Sequence, residues 1–291
     1  MRSVIMTLLI AAHSTALYVG GPGRVSGPAR AAMHSSRREV GRRSLFLPAI
    51  AAAAFGLTLN PAVAAGDDPL VKIYFGAGCF WHVQHELVLA ERALLGRRDA
   101  EFTAVSGYAG GTRVASGKLA GPAGAKVCYH NPQGVADYGR LGHAEVVQVE
   151  VPASRVSDFA FKYFSLFGAR GLRHDPQDRG GEYRSVLGLP GGEASPLYAV
   201  IAAAAKPTPM RLATGAGDEG DTIGDKTVLV YDSDAFSFYP AELYHQFHND
   251  FMDPPYGAAY NGLLPKLYAH KKIGLVGCPD LDPATIVEGR V

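Results

Sequence analysis

VKIYFGAGCFW, residues 71–81, joins an apolar run to a cysteine followed by two aromatics. Val71-Lys72-Ile73-Tyr74-Phe75 reads as a buried strand, Gly76-Ala77-Gly78 as a tight turn, and the residues after it as a helix. Across 79–95 the apolar residues Phe80, Val83, Leu87, Val88, Leu94 and Leu95 follow helical spacing, and Gly96 supplies the stop. Cys79 therefore stands where a strand turns into a helix. A sulfur at that point faces unpaired backbone N–H groups and the positive end of the helix dipole, and both favour thiolate over thiol. The alternative is a small apolar filler, the commoner fate of a lone cysteine. The Gly-Ala-Gly lead-in lets the backbone approach closely and leaves the sulfur accessible. Phe80 and Trp81, the chain's one tryptophan, could wall an apolar pocket suited to a methyl or thioether group.

Further along, residues 102–111 read as a strand running into the turn Gly107-Tyr108-Ala109-Gly110-Gly111. The next strand, 144–151, alternates strictly, with Glu145, Val147 and Val149 on one face. A carboxylate among valines would have a raised pKa through desolvation and could hold a proton as a general acid must. An edge-strand carboxylate in water is the other reading. Residues 154–168 form a helix capped by Ser154, with Val156, Phe159, Phe161, Tyr163, Phe164 and Phe167 as an aromatic face. Strands at 183–189 and 226–231 and helices at 195–205 and 241–250 follow, the remainder being irregular. Loops at 112–142 and 169–182 are long enough to be functional or mobile. Strands and helices interleave, which implies one mixed α/β (α+β) domain, a two-layer sandwich of a sheet covered by helices.

The composition is that of an ordinary globular chain: 291 residues, 47% hydrophobic, 19% charged, formal net charge +1. That balance offers no electrostatic case for nucleic acid. Three cysteines, Cys79, Cys128 and Cys278, are too few for a disulfide scaffold, and no CxxC pair suggests structural zinc. His82/His85 and His245/His248 have the i,i+3 spacing of metal ligands, yet no third ligand is placed, so neither metal nor cofactor is expected. Residues 1–65 read as a leader rather than as fold: they hold seven arginines against one acidic residue, Glu39. Within them Arg42-Arg43, an apolar run over 44–59 and Pro61-Ala62-Val63-Ala64 form a twin-arginine-type export signal with a small-residue cleavage site. An export signal behind about 40 acid-poor residues is similar to a two-stage leader addressed through the chloroplast to the thylakoid lumen. Residues 66–291 would remain as a single catalytic domain without stable membrane association.

Gly-Cys-Phe-Trp, Gly-Tyr-Ala-Gly-Gly, Gly-His-Ala-Glu-Val-Val, His-Asp-Pro, Tyr-Arg-Ser and Phe238-Tyr239-Pro240-Ala241-Glu242-Leu243-Tyr244-His245-Gln246 occur in that order. Over roughly residues 71–260 this series resembles the peptide methionine sulfoxide reductase A family. The resemblance implies a ferredoxin-like sheet and a thiol-dependent reduction of methionine S-sulfoxide, free or in proteins, with a thioredoxin-type reductant as partner. It makes Cys79 the nucleophile and Glu145 the acid that protonates the sulfoxide oxygen. Phe80 and Trp81 would line the pocket for the substrate methyl, and Asp178 and Tyr183 match the family's polar pair. The chain also departs from the pattern. His82 stands for the usual Gly, Glu182 for Gln, and Gly124 where a substrate-binding tyrosine is expected; Tyr129 or Tyr138 could replace that hydroxyl. Pro255-Tyr256-Gly257 is not followed by a cysteine, which leaves Cys128 and Cys278 as the possible resolving thiols. Two other readings stand beside the reductase: a non-catalytic or oxidant-sensing homologue that binds oxidised methionine segments, and a Cys–His hydrolase built on Cys79 and His143. Nothing in the chain demands more than a monomer. The leader reading is checked by N-terminal sequencing of the mature protein, which is expected to begin near Ala65; an intact Met1 in the targeted protein would contradict it.

Overall fold

The strand read from residues 71–75 is the centre of the sheet. In the computed structural model, which describes residues 68–115, 124–280 and 283–287, β1 (Leu70–Gly76) pairs antiparallel with β3 (Ala144–Pro152) on one side and β4 (Val186–Leu189) on the other. β2 (Val105–Ala109) pairs antiparallel with β3. Helix α1 (Phe80–Leu95) connects β1 to β2, and α2 (Val156–Ser165) connects β3 to β4. The inner order β4-β1-β3-β2 with every neighbour antiparallel is the split β-α-β pattern, repeated, of a ferredoxin-like sheet. Past β4, α3 (Tyr198–Ala205), β5 (Arg211–Thr214) and β6 (Thr227–Asp232) extend it in parallel, and β7 (Tyr239–Pro240) closes the far edge. The result is a mixed seven-stranded sheet. Among the described residues the short helices α4 (Ala258–Asn261), α5 (Leu263–Ala269) and α6 (Pro283–Val287) follow. The leader at 1–65 lies outside the described residues, and among those described no helix is long and apolar enough to cross a membrane.

Strand alternation decides what the helices cover. Ile73 and Phe75 of β1 and Val147, Val149 and Val151 of β3 join Phe80, Val83 and Leu87 of α1 and Phe159, Tyr163 and Phe164 of α2 in the main core. Tyr74 and Val146 point to the opposite face, with Val186, Leu229 and Tyr231. Glu145 shares its face with Val147, so the alternation turns its carboxylate toward the helices. Pairing of Phe75 with Val147 brings the end of β1 beside the start of β3, just where the chain turns into α1.

Buried polar side chains hold the segments that carry this corner. Arg184, 1% exposed, donates to the carbonyls of Gly181 (2.7 Å), Gly110 (2.7 Å) and Gly142 (2.9 Å). It thereby ties the end of β2 to the residues leading into β3, and unpaired buried carbonyls would otherwise be costly.

The structure corrects several sequence expectations. Ser154 does not cap α2: it lies in a 3-10 turn, Ala153–Arg155, and its backbone N–H donates to Asp68 at 3.0 Å. Phe161 is exposed, because two residues beyond Phe159 lies the other side of a helix. Residues 241–250 form one 3-10 turn, Leu243–His245, rather than a helix. The side chain of Gln246 accepts from Ser106 N–H (3.0 Å) and donates to Ser106 C=O (2.9 Å), so it acts as a strand partner to β2. Gln84 accepts from Phe247 N–H at 2.6 Å, and Phe247 takes a positive φ of 55°. Side chains here satisfy backbone groups that a helix would have satisfied. The C-terminal stretch read as irregular contains α4, α5 and α6, and β5 was not expected.

Arg184→Ala is expected to destabilise the protein by on the order of 3 kcal/mol by stripping donors from three carbonyls. Denaturant unfolding measures it, and a loss below about 1 kcal/mol would contradict the role given to this side chain.

Candidate active site

Gly78 has φ +87°, and a Cβ there would lie 2.3 Å from Asp178 Oδ2. A glycine is thus required on two counts, backbone conformation and the close approach of a carboxylate. That carboxylate accepts the N–H of Cys79 at 2.7 Å. The next amide, Phe80 N–H, donates to Glu145 Oε2 at 2.9 Å. Two carboxylates from distant segments therefore take the first two amides at the N-terminus of α1, where the helix dipole favours negative charge. Asp178 is itself held, since Arg173 donates to its main-chain carbonyl at 2.6 Å and pairs with Asp221 at 2.8 Å.

Glu145 is 2% exposed. Burial pushes its pKa up to about 8, against the pull of the Phe80 N–H and the Tyr138 hydroxyl, which donates to Oε1 at 3.1 Å. At neutral pH it holds a proton, so of the two sequence readings the desolvated carboxyl applies and the edge-strand carboxylate in water does not. The expectation for Cys79 is corrected. Burial first, and any negative charge on the nearby Glu145 second, push its thiol up rather than down. Only the amides of Trp81 and His82 pull the other way, because Asp178 and Glu145 have claimed the first two. The ground state is a thiol beside a carboxylic acid.

Cys79, Phe80, Trp81, Glu145, Asp178 and Tyr183 line one cavity of about 70 Å³. The structure thus brings together the six residues that the family resemblance assigned to catalysis and substrate binding. Phe80 is fixed from below by Tyr108 (ring centroids 5.9 Å) and His245 (5.2 Å). Trp81 stacks on His248 at 4.1 Å and meets the edge of Phe251 at 5.2 Å. Both tyrosines weighed for the missing hydroxyl lie at this site. Tyr138 is buried on Glu145, whereas Tyr129 lines the cavity, its N–H held by the buried Glu242 at 2.8 Å. Burial raises the hydroxyl pKa of Tyr129 and Tyr183, so both remain donors. Phe251 and Met252 complete the rim; they fall in a stretch whose pattern gave no sign of them.

His143 is excluded from nucleophile activation by its bonds. Its Nδ1 meets Gly111 N–H at 3.2 Å and its Nε2 meets Arg113 C=O at 2.7 Å, and burial lowers its pKa to about 4. Of the two possible resolving thiols, Cys128 is buried next to Tyr129 and is joined to Cys278 in a disulfide, Cα atoms 5.6 Å apart. Cys79 is the free cysteine. Three cysteines make no scaffold, but two of them make one bridge. Of the histidine pairs read from i,i+3 spacing, His82 and His85 part, His85 stacking on Tyr256 (3.7 Å) and His82 on His174 (3.8 Å), whereas His245 (5.8 Å) and His248 (4.1 Å) both stack on Trp81.

No family model matches the chain. Curated relatives do. A peptide methionine sulfoxide reductase MsrA of Methanothermobacter thermautotrophicus is 31% identical over 177 residues, covering 60% of this chain and 83% of that protein. One from Ruthia magnifica subsp. Calyptogena magnifica is 29% identical over 189 residues, 62% of this chain and 88% of the relative. Among solved structures, a methionine sulfoxide reductase A of Corynebacterium diphtheriae aligns over 74% of this chain and 80% of its own, at 19% identity and a TM-score of 0.35. At that score the structural likeness carries no weight.

The raised pKa of Glu145 has a measurable cost. Because its folded value exceeds its unfolded one, this group's stabilising contribution falls as pH rises from about 4.5 to about 8 and is level above that. In Glu145→Gln that dependence disappears. Thermal melts should show the variant gaining on wild type by on the order of a few kcal/mol between those limits. Parallel curves would mean that Glu145 is ionised throughout.

Proposed function

Because the chain belongs to the peptide methionine sulfoxide reductase A family, we propose that it reduces methionine S-sulfoxide, free or in proteins, by way of a sulfenic acid on Cys79. The observation that carries this reading is a carboxyl group kept protonated at the floor of the cavity that holds Cys79. A sulfoxide sulfur is a poor electrophile until its oxygen is protonated. With the substrate methyl against Phe80 and Trp81, its oxygen meets Glu145 and the hydroxyls of Tyr129 and Tyr183. Glu145 gives its proton to that oxygen as the Cys79 sulfur attacks the substrate sulfur, and the thiol proton restores the carboxyl group. The sulfur–oxygen bond of the substrate then breaks as the hydroxyl passes to the Cys79 sulfur, and the transient sulfur–sulfur bond breaks to release the thioether: one sulfoxide and one thiol become one thioether and one sulfenic acid.

A second thiol must then condense with the sulfenic acid and release water. With Cys128 and Cys278 reduced, Cys128, one residue from the cavity wall, is the better placed. Cys278 then displaces Cys79 from the mixed disulfide. On this reading the Cys128–Cys278 disulfide is the form that a thioredoxin-type reductant resets. Such a bridge also accords with export to an oxidising compartment, and we place the mature chain in the thylakoid lumen of the chloroplast. The binding or oxidant-sensing role is not favoured, since neither needs a protonated Glu145.

With dithiothreitol and each sulfoxide epimer, the purified protein is expected to form methionine from the S form only. Cys79→Ser should abolish turnover, and Glu145→Gln should lower it by at least about 100-fold. The rate should fall as pH rises through about 8. No turnover of the S form, or activity surviving Cys79→Ser, would overturn the proposal. With thioredoxin in place of dithiothreitol, Cys128→Ser and Cys278→Ser should each stop the cycle; if neither matters, the sulfenic acid is reduced directly.

A further inference from the structure

Beside the cavity, two histidines and two aspartates from three separate segments converge. His82 projects from the first turn of α1, three residues past Cys79. His174 precedes Asp178 in the loop that caps Cys79, and Asp250 and Asp253 flank Phe251 and Met252 on the cavity rim. The two imidazoles stack face to face, centroids 3.8 Å apart and 4° from parallel. His82 Nδ1 lies 3.5 Å from Asp250 Oδ2 and 3.9 Å from Asp253 Oδ2; His174 Nε2 lies 3.5 Å and 3.4 Å from the same atoms. All four donor atoms fall within 4.8 Å of one another.

Hydrogen bonding leaves this cluster unfinished. His82 Nδ1 and His174 Nε2 are both buried atoms with no hydrogen-bond partner, and both are aimed at the same two carboxylates. A single divalent ion would satisfy both nitrogens and both charges. The spacing suits it: four ligand atoms at 2.0–2.1 Å from a tetrahedral ion are about 3.3 Å apart, and the four His–Asp separations here run from 3.4 to 3.9 Å. The His–His and Asp–Asp pairs lie within 4.8 Å, so an ion that closes the site draws each pair together by up to about 1.5 Å.

We propose that His82, His174, Asp250 and Asp253 form a divalent transition-metal site of the zinc class that pins the rim of the cavity to α1. Two nitrogens and two oxygens suit zinc, whereas magnesium and calcium prefer oxygen-only shells. An outer layer already orients the ligands. Asp250 Oδ2 accepts the Tyr256 hydroxyl at 2.6 Å, its Oδ1 accepts the amides of Met252 (3.1 Å) and Asp253 (2.8 Å), and Tyr256 is backed by His85. The ion would tie α1, the loop around His174 and the loop bearing Phe251 and Met252 into one unit. Neither spacing nor motif linked these four residues; only the fold does. Binding at this site does not depend on the activity proposed above.

The test is metal binding by the full chain after chelator treatment. Zn²⁺ titrated against a chromophoric competitor should bind one ion per chain, and Co²⁺ should give a tetrahedral visible spectrum without a thiolate charge-transfer band. Mg²⁺ and Ca²⁺ should not compete. His82→Ala and His174→Ala should each weaken Zn²⁺ by more than the roughly 10- to 100-fold typical of an outer-shell change. Asp253→Asn, at a partly exposed side chain, gives a variant whose folding is not at risk and should also weaken binding. Cys79→Ser should keep full stoichiometry. Substoichiometric binding, binding indifferent to His82, His174 and Asp253, or binding lost with Cys79 would each overturn the proposal.

Discussion

Two hydrogen bonds at one helix end organise the active corner. Asp178 accepts the amide of Cys79, and Glu145 accepts the amide of Phe80. Each bond crosses from a distant part of the chain to the first turn of α1, so the sheet, the loop around Asp178 and the helix meet there. The same bonds decide the chemistry. Burial keeps the Cys79 sulfur protonated, and the two amides that could have stabilised a thiolate are already taken by Asp178 and Glu145. By being buried where it lies, Glu145 retains its own proton. Thiol and acid wait together, and a substrate that needs protonation in order to be attacked exploits that pairing.

Much of this corner was legible in the sequence, because short-range physics dictates it. The strand at 71–75, the Gly-Ala-Gly turn and the helix to Leu95 each follow from local pattern, and the structure places them within a residue or two. Strict alternation over 144–151 put Glu145 on one face with Val147 and Val149, but that this face is the buried, helix-facing one depends on the packing of α1 and α2. The direction of the Cys79 shift was not legible. A helix N-terminus is read from local residues, but which carboxylates occupy its amides depends on partners 65 and 99 positions away. The same limit explains residues 241–250, where Gln246 and Gln84 supply hydrogen bonds that no periodicity reveals.

The departures from the family pattern have local physical explanations. With Gly124 where a tyrosine was expected, hydroxyls come from a different strip of chain: Tyr138 on the acid itself, Tyr129 on the cavity wall. The strip is braced by the bond of Glu242 to Tyr129 and by the Cys128–Cys278 bridge. His82, in place of a glycine, lies against His174 and two aspartates at the cavity rim. Changes to the chain thus cluster around the site, while its centre keeps the thiol, the acid and the two aromatics.

The chemistry of this corner requires Glu145 to be a carboxylic acid, not a carboxylate, in the substrate-free protein at neutral pH. Infrared difference spectroscopy between wild type and Glu145→Gln, with isotope-labelled glutamate, reports that proton directly. A protonated carboxyl stretch is expected at pH 7 and should disappear as pH rises through about 8. A carboxylate signature already complete at pH 6 would contradict it.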